Sequence, residues 1–220
     1  MKKFVFPFLV FTMMCATFLS NAQVNVSLGL KGGPNFATAS LDPESEFLDP
    51  GDSKSSVTRF VVGGAVQIGF PGPVSIQAEP MYTQKGFKIE GQGFEAKVKV
   101  DYITIPVLVK AKFGTSSVKP YLFAGPNIGI QLSSEVVAEG GGQSQTTDID
   151  SITSSTDFAI DFGGGAEFEV APMVSITADA RYSLGLSNIV DVTTQPGATE
   201  PSAKSRGFQI LVGVLFRVGR

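Results

Sequence analysis

Apolar and polar residues alternate along most of Thr156–Leu186. Apolar side chains take the even positions from Phe158 to Val170, and the alternation resumes at Val174 after a short break. Because successive side chains of a β-strand point to opposite faces, this pattern predicts a long hairpin with one apolar and one charged face. Each arm is about twice the usual strand length of ~5–6 residues. Such a hairpin either packs against a second sheet or turns its apolar face to lipid.

The same alternation predicts six further strands, which makes eight in all. Pro80 interrupts one of them and predicts a bulge or local kink there, because proline cannot donate a ladder hydrogen bond. The six strands are expected at about Val24–Ala37, Val57–Phe70, Val74–Phe87, Ala96–Phe113, Val118–Leu132 and Arg206–Val218.

The connections between these strands alternate in length. Three tight turns, Pro71-Gly72-Pro73, Gly114–Ser117 and Ala171-Pro172-Met173, fall at one end of the strand set. The longer polar segments are predicted to be loops at the other end, and they are Thr38–Ser56, Lys88–Glu95, Ser133–Ser155 and Ser187–Ser205. An even strand count, this asymmetry and an outward apolar face are typical of outer-membrane barrels. The predicted fold is all-β, an eight-stranded antiparallel up-and-down transmembrane β-barrel.

The first residues predict export. Met1-Lys2-Lys3 precedes the apolar run Phe4–Leu19 and the small residues before Ala22, a pattern typical of a secretory signal peptide. We therefore expect residues 1–22 to be removed and residues 23–220 to form one outer-membrane barrel domain. Loss of Lys2 and Lys3 changes the formal net charge from −3 to −5, which argues against a nucleic-acid partner.

Aromatic residues on the expected lipid face form two rows. One row lies at the short-turn end and the other lies nearer the long loops, where interfacial girdles are expected. The alternative is chance, because aromatic residues favour strands in general. The predicted lipid-interface residues are Phe70, Phe113, Phe168 and Phe216 in the first row, and Phe36, Phe60, Tyr82, Phe158 and Phe208 in the second.

The opposite, inward face carries twelve charged residues of nearly balanced sign. One interpretation is a proton path, an ion site or an acid–base pair. The favoured interpretation is a structural network, because an eight-stranded interior is only just wide enough for side chains and buried charges must be paired. The residues are Lys31, Lys85, Lys110, Lys112, Arg181 and Arg217, with Glu79, Asp157, Asp161, Glu167, Glu169 and Asp179.

Catalytic and cofactor chemistry is not predicted. The chain contains no histidine, which excludes Ser-His-Asp triads and histidine-ligated metals. Neither Gly140-Gly141-Gly142 nor Gly163-Gly164-Gly165 is followed by the Lys-Ser/Thr of a nucleotide loop, and the second triplet predicts sharp strand curvature instead. Acidic residues of Asp42–Asp52 and Asp148–Asp150 could bind Ca²⁺, although solvated loop charges are the simpler interpretation.

Several stretches resemble the PorT-like outer-membrane β-barrel family of the Bacteroidetes. They are Gly29–Phe36, Tyr102–Lys110 (YITIPVLVK), Lys119–Pro126 (KPYLFAGP) and Ala180–Leu186 (ARYSLGL). The resemblance covers essentially the whole mature chain. It implies a small outer-membrane barrel, and the placement of the short turns predicts periplasmic termini. The family's namesake serves the type IX secretion apparatus, but a shared fold does not transfer that role.

These observations predict a non-enzymatic integral outer-membrane protein, structural or interaction-bearing through long acidic extracellular loops. Its expected partners are outer-membrane lipid and, as candidates, other envelope or secretion proteins, and it is expected to be a monomer. One alternative is a membrane component of a type IX-like secretion or transport assembly. Another is a soluble lipocalin-like binder, whose apolar strand faces would line an internal cavity.

Overall fold

The computed structural model describes residues 24–43, 51–91, 94–114, 116–140, 143–150, 154–189 and 202–218. The predicted signal peptide lies outside the described residues, as do residues 44–50 and 190–201 of two predicted loops. The described chain is almost entirely β-strand, and its strands are β1 (Asn25–Asp42), β2 (Ser53–Ser55), β3 (Val57–Gly69), β4 (Val74–Ala78), β5 (Met81–Gly91), β6 (Phe94–Lys112), β7 (Val118–Gly140), β8 (Gln143–Asp148), β9 (Thr156–Ala171), β10 (Val174–Gly185) and β11 (Ser202–Arg217).

The strands close into an antiparallel ring. Going round, β1 pairs with β3, the interrupted strand β4–β5 follows, and then β6, β7, β9, β10 and β11 lead back to β1. Counting β4–β5 as one staggered strand, eight strands form the barrel, as the sequence predicts. The closing seam joins the two ends of the chain, with Ser27 opposite Arg217 and Asp42 opposite Ser202.

The predicted break at Pro80 is present. Strand pairing stops at Ala78 and resumes at Met81, and two backbone bonds bridge the gap, from Gly64 N–H to the Pro80 carbonyl and from Glu79 N–H to the Pro106 carbonyl, each at 3.0 Å. The prolines of β6 and β7 keep their register. The shift between these strands lies instead at Asp101/Tyr102, opposite Ser133 and Gln131.

Two of the short turns contain a glycine that the backbone requires. Gly72 and Gly114 have φ values of 100° and 82°, a region that side chains with a Cβ rarely adopt. Both turns, with Ala171-Pro172-Met173, lie at the same end of the barrel, which we call the short-turn end. The opposite end is called the long-loop end.

The predicted loops at the long-loop end are wrong in part, because several of their residues continue the strands. β1 extends to Asp42, β5 and β6 cover all of Lys88–Glu95 except residues 92–93, β11 begins at Ser202, and the predicted flexible segment Ser133–Ser155 contains the end of β7 and all of β8. At this end β2 pairs with Lys88–Glu90 of β5, and β8 pairs with Glu135–Gly140 of β7. The sheet formed by Lys88–Gly91, Phe94–Asp101, Ser133–Gly140, β2 and β8 is called the sheet extension.

Candidate functional site

The centre of the barrel interior is a buried ion network around Glu79. Its carboxylate accepts hydrogen bonds from Lys31 Nζ at 2.8 Å and from Arg181 Nη2 at 2.5 Å. Arg181 also lies 3.6 Å from Asp161, and all four side chains are almost completely buried. A buried charge is costly unless it is paired, so each member makes the burial of the others possible.

Lys31 connects this centre to a second set of contacts, because it also donates to Asp179. Asp179 accepts hydrogen bonds from Lys31 Nζ and from the Tyr121 hydroxyl. Lys110 donates to Gln77 Oε1 at 2.9 Å and lies 3.8 Å from the centroid of the Tyr121 ring. The ammonium of Lys110 is therefore held by an amide oxygen and an aromatic face.

A smaller group lies towards the long-loop end. Lys85 Nζ lies 2.7 Å from Asp157, which also accepts hydrogen bonds from Ser205 Oγ at 2.8 Å and from Ser187 Oγ at 2.7 Å. The cavity lined by Lys85 and Tyr102 beside this group has a volume of about 10 Å³. That is about the space of a single water molecule.

A third group lies at the short-turn end. Lys112 is 2.6 Å from Glu167, while Glu169 is shared by Lys119 at 2.8 Å and Arg217 at 3.4 Å. All twelve charged residues of the predicted inward set thus make ion pairs or hydrogen bonds, in three regions of the interior. Lys119 is absent from the predicted set. The uncharged residues Tyr121, Gln77 and Ser205 are absent because only charged residues were predicted, although the alternation of β4 and β7 places Gln77 and Tyr121 on the inner face.

An apolar cluster covers the interior at the long-loop end. It consists of Ala39, Leu41, Phe87, Ile189 and Ala203, and Ile89 and Val98 pack against it. The backbone N–H of Ile189 also bonds the Ala203 carbonyl at 2.8 Å. This apolar cap was not predicted from sequence, because most of its members lie in segments read as loops. Together with the ion network, it leaves no wide passage through the described part of the barrel.

The outer wall of the barrel is apolar and uncovered. Leu30 and Leu122 are 71% and 61% exposed, and each barrel strand, counting β4–β5 as one, carries at least one exposed large apolar side chain. Among the predicted interface aromatics, Phe36 stacks on Phe208 at 6.3 Å and Phe60 packs on Tyr82 at 5.6 Å. The lipocalin-like alternative is therefore wrong, since it requires these apolar faces to line the cavity.

The predicted aromatic rows lie on this outer wall. Phe36, Phe60, Phe113, Phe158, Phe168, Phe208 and Phe216 are exposed, and Phe70 and Tyr82 are half-buried. From the level of Tyr82 towards the long-loop end, the outward residues of β6 change from apolar Ile105 and Ile103 to charged Asp101 and Lys99. This change marks where the apolar wall ends and the sheet extension begins.

The outer face of the sheet extension is a ladder of opposite charges. Lys97 lies 2.7 Å from Glu95 and 3.4 Å from Glu139, and Lys99 lies 3.0 Å from Glu135. The hydrogen bond from Lys88 lowers the pKa of Glu90, and the hydrogen bond from Lys97 lowers the pKa of Glu95. Cross-strand pairs of opposite charge favour this strand pairing.

Acid is expected to loosen the sheet extension. Because the folded pKa of Glu90 and of Glu95 lies below the ordinary value of 4.5, their ion pairs stabilise the fold above pH 4.5. That contribution is lost as the pH falls through the folded pKa. Hydrogen-exchange protection factors of Lys88–Gly91 and Phe94–Lys97, corrected for intrinsic rates, should be lower at pH 3 than at pH 6. Equal factors at both pH values would contradict this, and the β9–β10 amides serve as the control.

Metal binding finds no support in the described ranges. No group of three or more carboxylate, cysteine or histidine side chains is placed to hold an ion there, including the described part of the predicted Ca²⁺ segments. Asp150 instead accepts a hydrogen bond from Ser134 Oγ at 2.8 Å. Across the same ranges, no helix is long and apolar enough to cross a membrane.

A recess of the interior with a volume of about 600 Å³ lies at the short-turn end. All eight barrel strands contribute to its wall or to the turns that rim it, and the third ion group, Lys112, Lys119, Glu167, Glu169 and Arg217, lines it. This recess is called the vestibule. The barrel is thus capped by apolar residues at one end, filled by ion pairs in the middle and hollow at the other end.

Comparison with solved structures gives several outer-membrane barrels. The Neisserial surface protein NspA is 17% identical with a TM-score of 0.48, covering 87% of this chain and 97% of that chain. A major outer membrane protein from Thermus thermophilus is 11% identical with a TM-score of 0.48, covering 89% and 99%. OprG from Pseudomonas aeruginosa is 12% identical with a TM-score of 0.46, covering 87% and 96%. No curated protein sequence matches the chain significantly.

The family comparison is more direct. A sequence profile described as the outer membrane protein beta-barrel domain matches residues 21–191, well over half of the chain. The matched range begins two residues before the expected start of the mature chain and covers every barrel strand except β11. The chain therefore belongs to the outer membrane protein beta-barrel family.

Proposed function

We propose that the chain is a non-catalytic, monomeric outer-membrane anchor that holds the sheet extension outside the cell and binds another protein through it. The observation that carries this proposal is the contrast between a blocked barrel and a long, ordered extension. Within the described part of the chain, the interior offers neither a wide passage nor an accessible catalytic pair, because its carboxylates are engaged in ion pairs. The extension presents hydrogen-bonded strands with a charged outer face, a surface suited to a protein partner.

The orientation follows from the loop lengths. Outer-membrane barrels keep short turns in the periplasm and longer connections outside. Residues 1–22 act as the signal peptide, residues 23–220 form the mature barrel, and the two aromatic rows lie at the lipid interfaces. Eight residues of β6, Phe94–Asp101, then stand above the apolar wall, a length of about 26 Å at ~3.3 Å per residue.

Membership of the PorT-like group is the finer assignment, supported by stretches such as Tyr102–Lys110 and Lys119–Pro126. If the chain is a PorT-like protein, the partner of the sheet extension would be a component of a secretion assembly. Deletion of the gene distinguishes this secretion role from a docking role that is separate from secretion. A general loss of secreted proteins supports the secretion role, whereas normal secretion with a lost surface contact supports a separate docking role.

A trimmed variant provides the main test. Lys88 pairs directly with Lys97, so Ile89–Ala96 can be replaced by a two-residue Asn-Gly turn that fits this register. A photo-reactive residue at Glu139 on intact cells should give a discrete protein adduct, which the trimmed variant should lose while keeping the heat-dependent gel mobility of a folded barrel. The same photo-reactive residue at Ile76, on the lipid-facing wall, is the control.

The anchor proposal also predicts no channel activity. Purified wild-type protein in planar bilayers should give no stepwise conductance, because ion pairs and the apolar cap block the interior. Two outcomes would overturn the proposal, namely stable single-channel steps or the failure of Glu139 to give any adduct on living cells.

A further inference from the structure

The vestibule has an unequal balance of charge. Among the described residues, its lining contains three cations, Lys112, Lys119 and Arg217, and two carboxylates, Glu167 and Glu169. Glu167 is matched by Lys112, so Lys119 and Arg217 share the single carboxylate of Glu169. One positive charge is therefore left over in a partly enclosed space, where a bound anion is screened less than at an open surface.

The deeper wall of the vestibule holds polar atoms without partners. Gln67 Oε1 and Ser75 Oγ have no hydrogen-bond partner among the described residues, although these residues are only 4% and 2% exposed. Both residues line the vestibule. A buried polar atom without a partner is unfavourable, so a ligand with N–H or O–H donors would gain by supplying one.

Beside polar Asn25, Ser27 and Ser175, the lining also contains apolar side chains that suit a short aliphatic group. Val74, Met173 and Leu215 come from three different strand ends or turns and line the same space. The volume of about 600 Å³ is within the range of small-molecule sites. A ligand that satisfies this wall needs one negative charge, amide or hydroxyl donors, and small apolar groups.

We propose that the vestibule binds the carboxyl-terminal end of a short peptide. The carboxylate pairs with Lys119 and Arg217, the peptide N–H groups donate to Gln67 Oε1 and Ser75 Oγ, and the side chains contact Val74, Met173 and Leu215. This inference does not depend on the sheet extension or on the partner proposed for it, because it rests only on the wall of the opposite end.

The test compares two ligands that differ in one group. Trialanine carries the carboxylate, and trialanine amide has the same size without the charge. Calorimetric titration of the full chain in detergent should give binding of trialanine that is about tenfold tighter or more, the effect of about one charge-assisted hydrogen bond. Equal affinities for the two ligands would overturn the proposal.

A double variant assigns the charge. Lys119→Gln with Arg217→Gln should lower the affinity for trialanine to that for the amide. These side chains are 24% and 40% exposed and their shared partner Glu169 reaches solvent, so the barrel is expected to keep its heat-dependent mobility. The matched control, Lys97→Gln with Lys99→Gln on the sheet extension, removes the same charge and should leave the affinity unchanged. Unchanged affinity in the vestibule variant would refute the site.

Two further measurements check the class of ligand. Gln67→Leu should weaken trialanine and trialanine amide by the same factor, because it removes the acceptor for the peptide N–H groups and leaves the cations in place. Inorganic phosphate should bind more weakly than trialanine. Phosphate that binds as tightly as trialanine would mean a general anion site and would overturn the assignment to peptides.

Discussion

Replacing Glu79 with glutamine is expected to lower the free energy of unfolding by about 3–5 kcal/mol, the range for breaking a buried ion pair on one side. Glu79 accepts from both Lys31 and Arg181 at the centre of the barrel. Without its charge, Arg181 retains only Asp161 at 3.6 Å as an ionic partner among the described residues. A urea titration in lipid vesicles, followed by unboiled gel mobility, measures the change in the unfolding midpoint.

The matched control is Glu139→Gln on the sheet extension. It removes the same charge from an exposed pair, with Lys97 at 3.4 Å, and should leave the midpoint unchanged. A double variant tests the pairing itself. If Glu79 and Arg181 act together, Glu79→Gln with Arg181→Gln should destabilise by less than the sum of the single changes, and strict additivity would argue against coupling.

Gly163→Ala is expected to destabilise the barrel by about 1–3 kcal/mol through overpacking. A Cβ at this position would collide with the Ala180 carbonyl oxygen and would lie 3.0 Å from Phe123 Cζ. The carbonyl belongs to the adjacent strand and cannot move without breaking the β9–β10 register. The glycine thus leaves room for Phe123 and for Arg181, whose guanidinium lies 5.3 Å from the Phe123 ring.

The same urea titration measures this effect. Gly64→Ala is the comparison, because a Cβ there meets no atom closer than 3.8 Å on the outer wall. Gly64→Ala should be neutral within the error of the method, and equal destabilisation by both changes would mean that crowding inside the barrel is not the cause.

The sequence predicts strand curvature at Gly163-Gly164-Gly165. The close contacts of Gly163 and Gly165 add a second reason, space for large inward side chains.

The barrel strands could be predicted from sequence because lipid and a polar interior impose opposite demands on alternate residues. The Phe158–Val170 arm and its partner show this most clearly, and both are found as β9 and β10. The same demand places Lys31, Glu79 and Arg181 inward without any knowledge of their partners. Which cation meets which carboxylate was not predictable, because it depends on register across strands that are distant in sequence.

The sheet extension escaped prediction for the same physical reason. Beyond the apolar wall neither strand face needs to be apolar, so Ser133–Gly140 and Gln143–Asp148 have the composition of a flexible loop although they pair as β7 and β8. The apolar cap was missed because it combines small or isolated apolar residues, such as Ala39 and Ala203, from opposite ends of the chain. The polar atoms of the vestibule that lack a hydrogen-bond partner were not predictable either, because the alternation of apolar and polar residues does not show which polar groups pair.

The closing seam has a consequence for how the protein is made. In chain order β1 is the first barrel strand and β11 is the last, so the strand ladder between them forms only after Ser202–Arg217 has been synthesised. Until then, one edge of β1 and one edge of β10 carry unpaired N–H and C=O groups, which hydrocarbon does not tolerate. The open sheet is therefore expected to stay out of hydrocarbon until the last strand, 16 residues long, closes the ring.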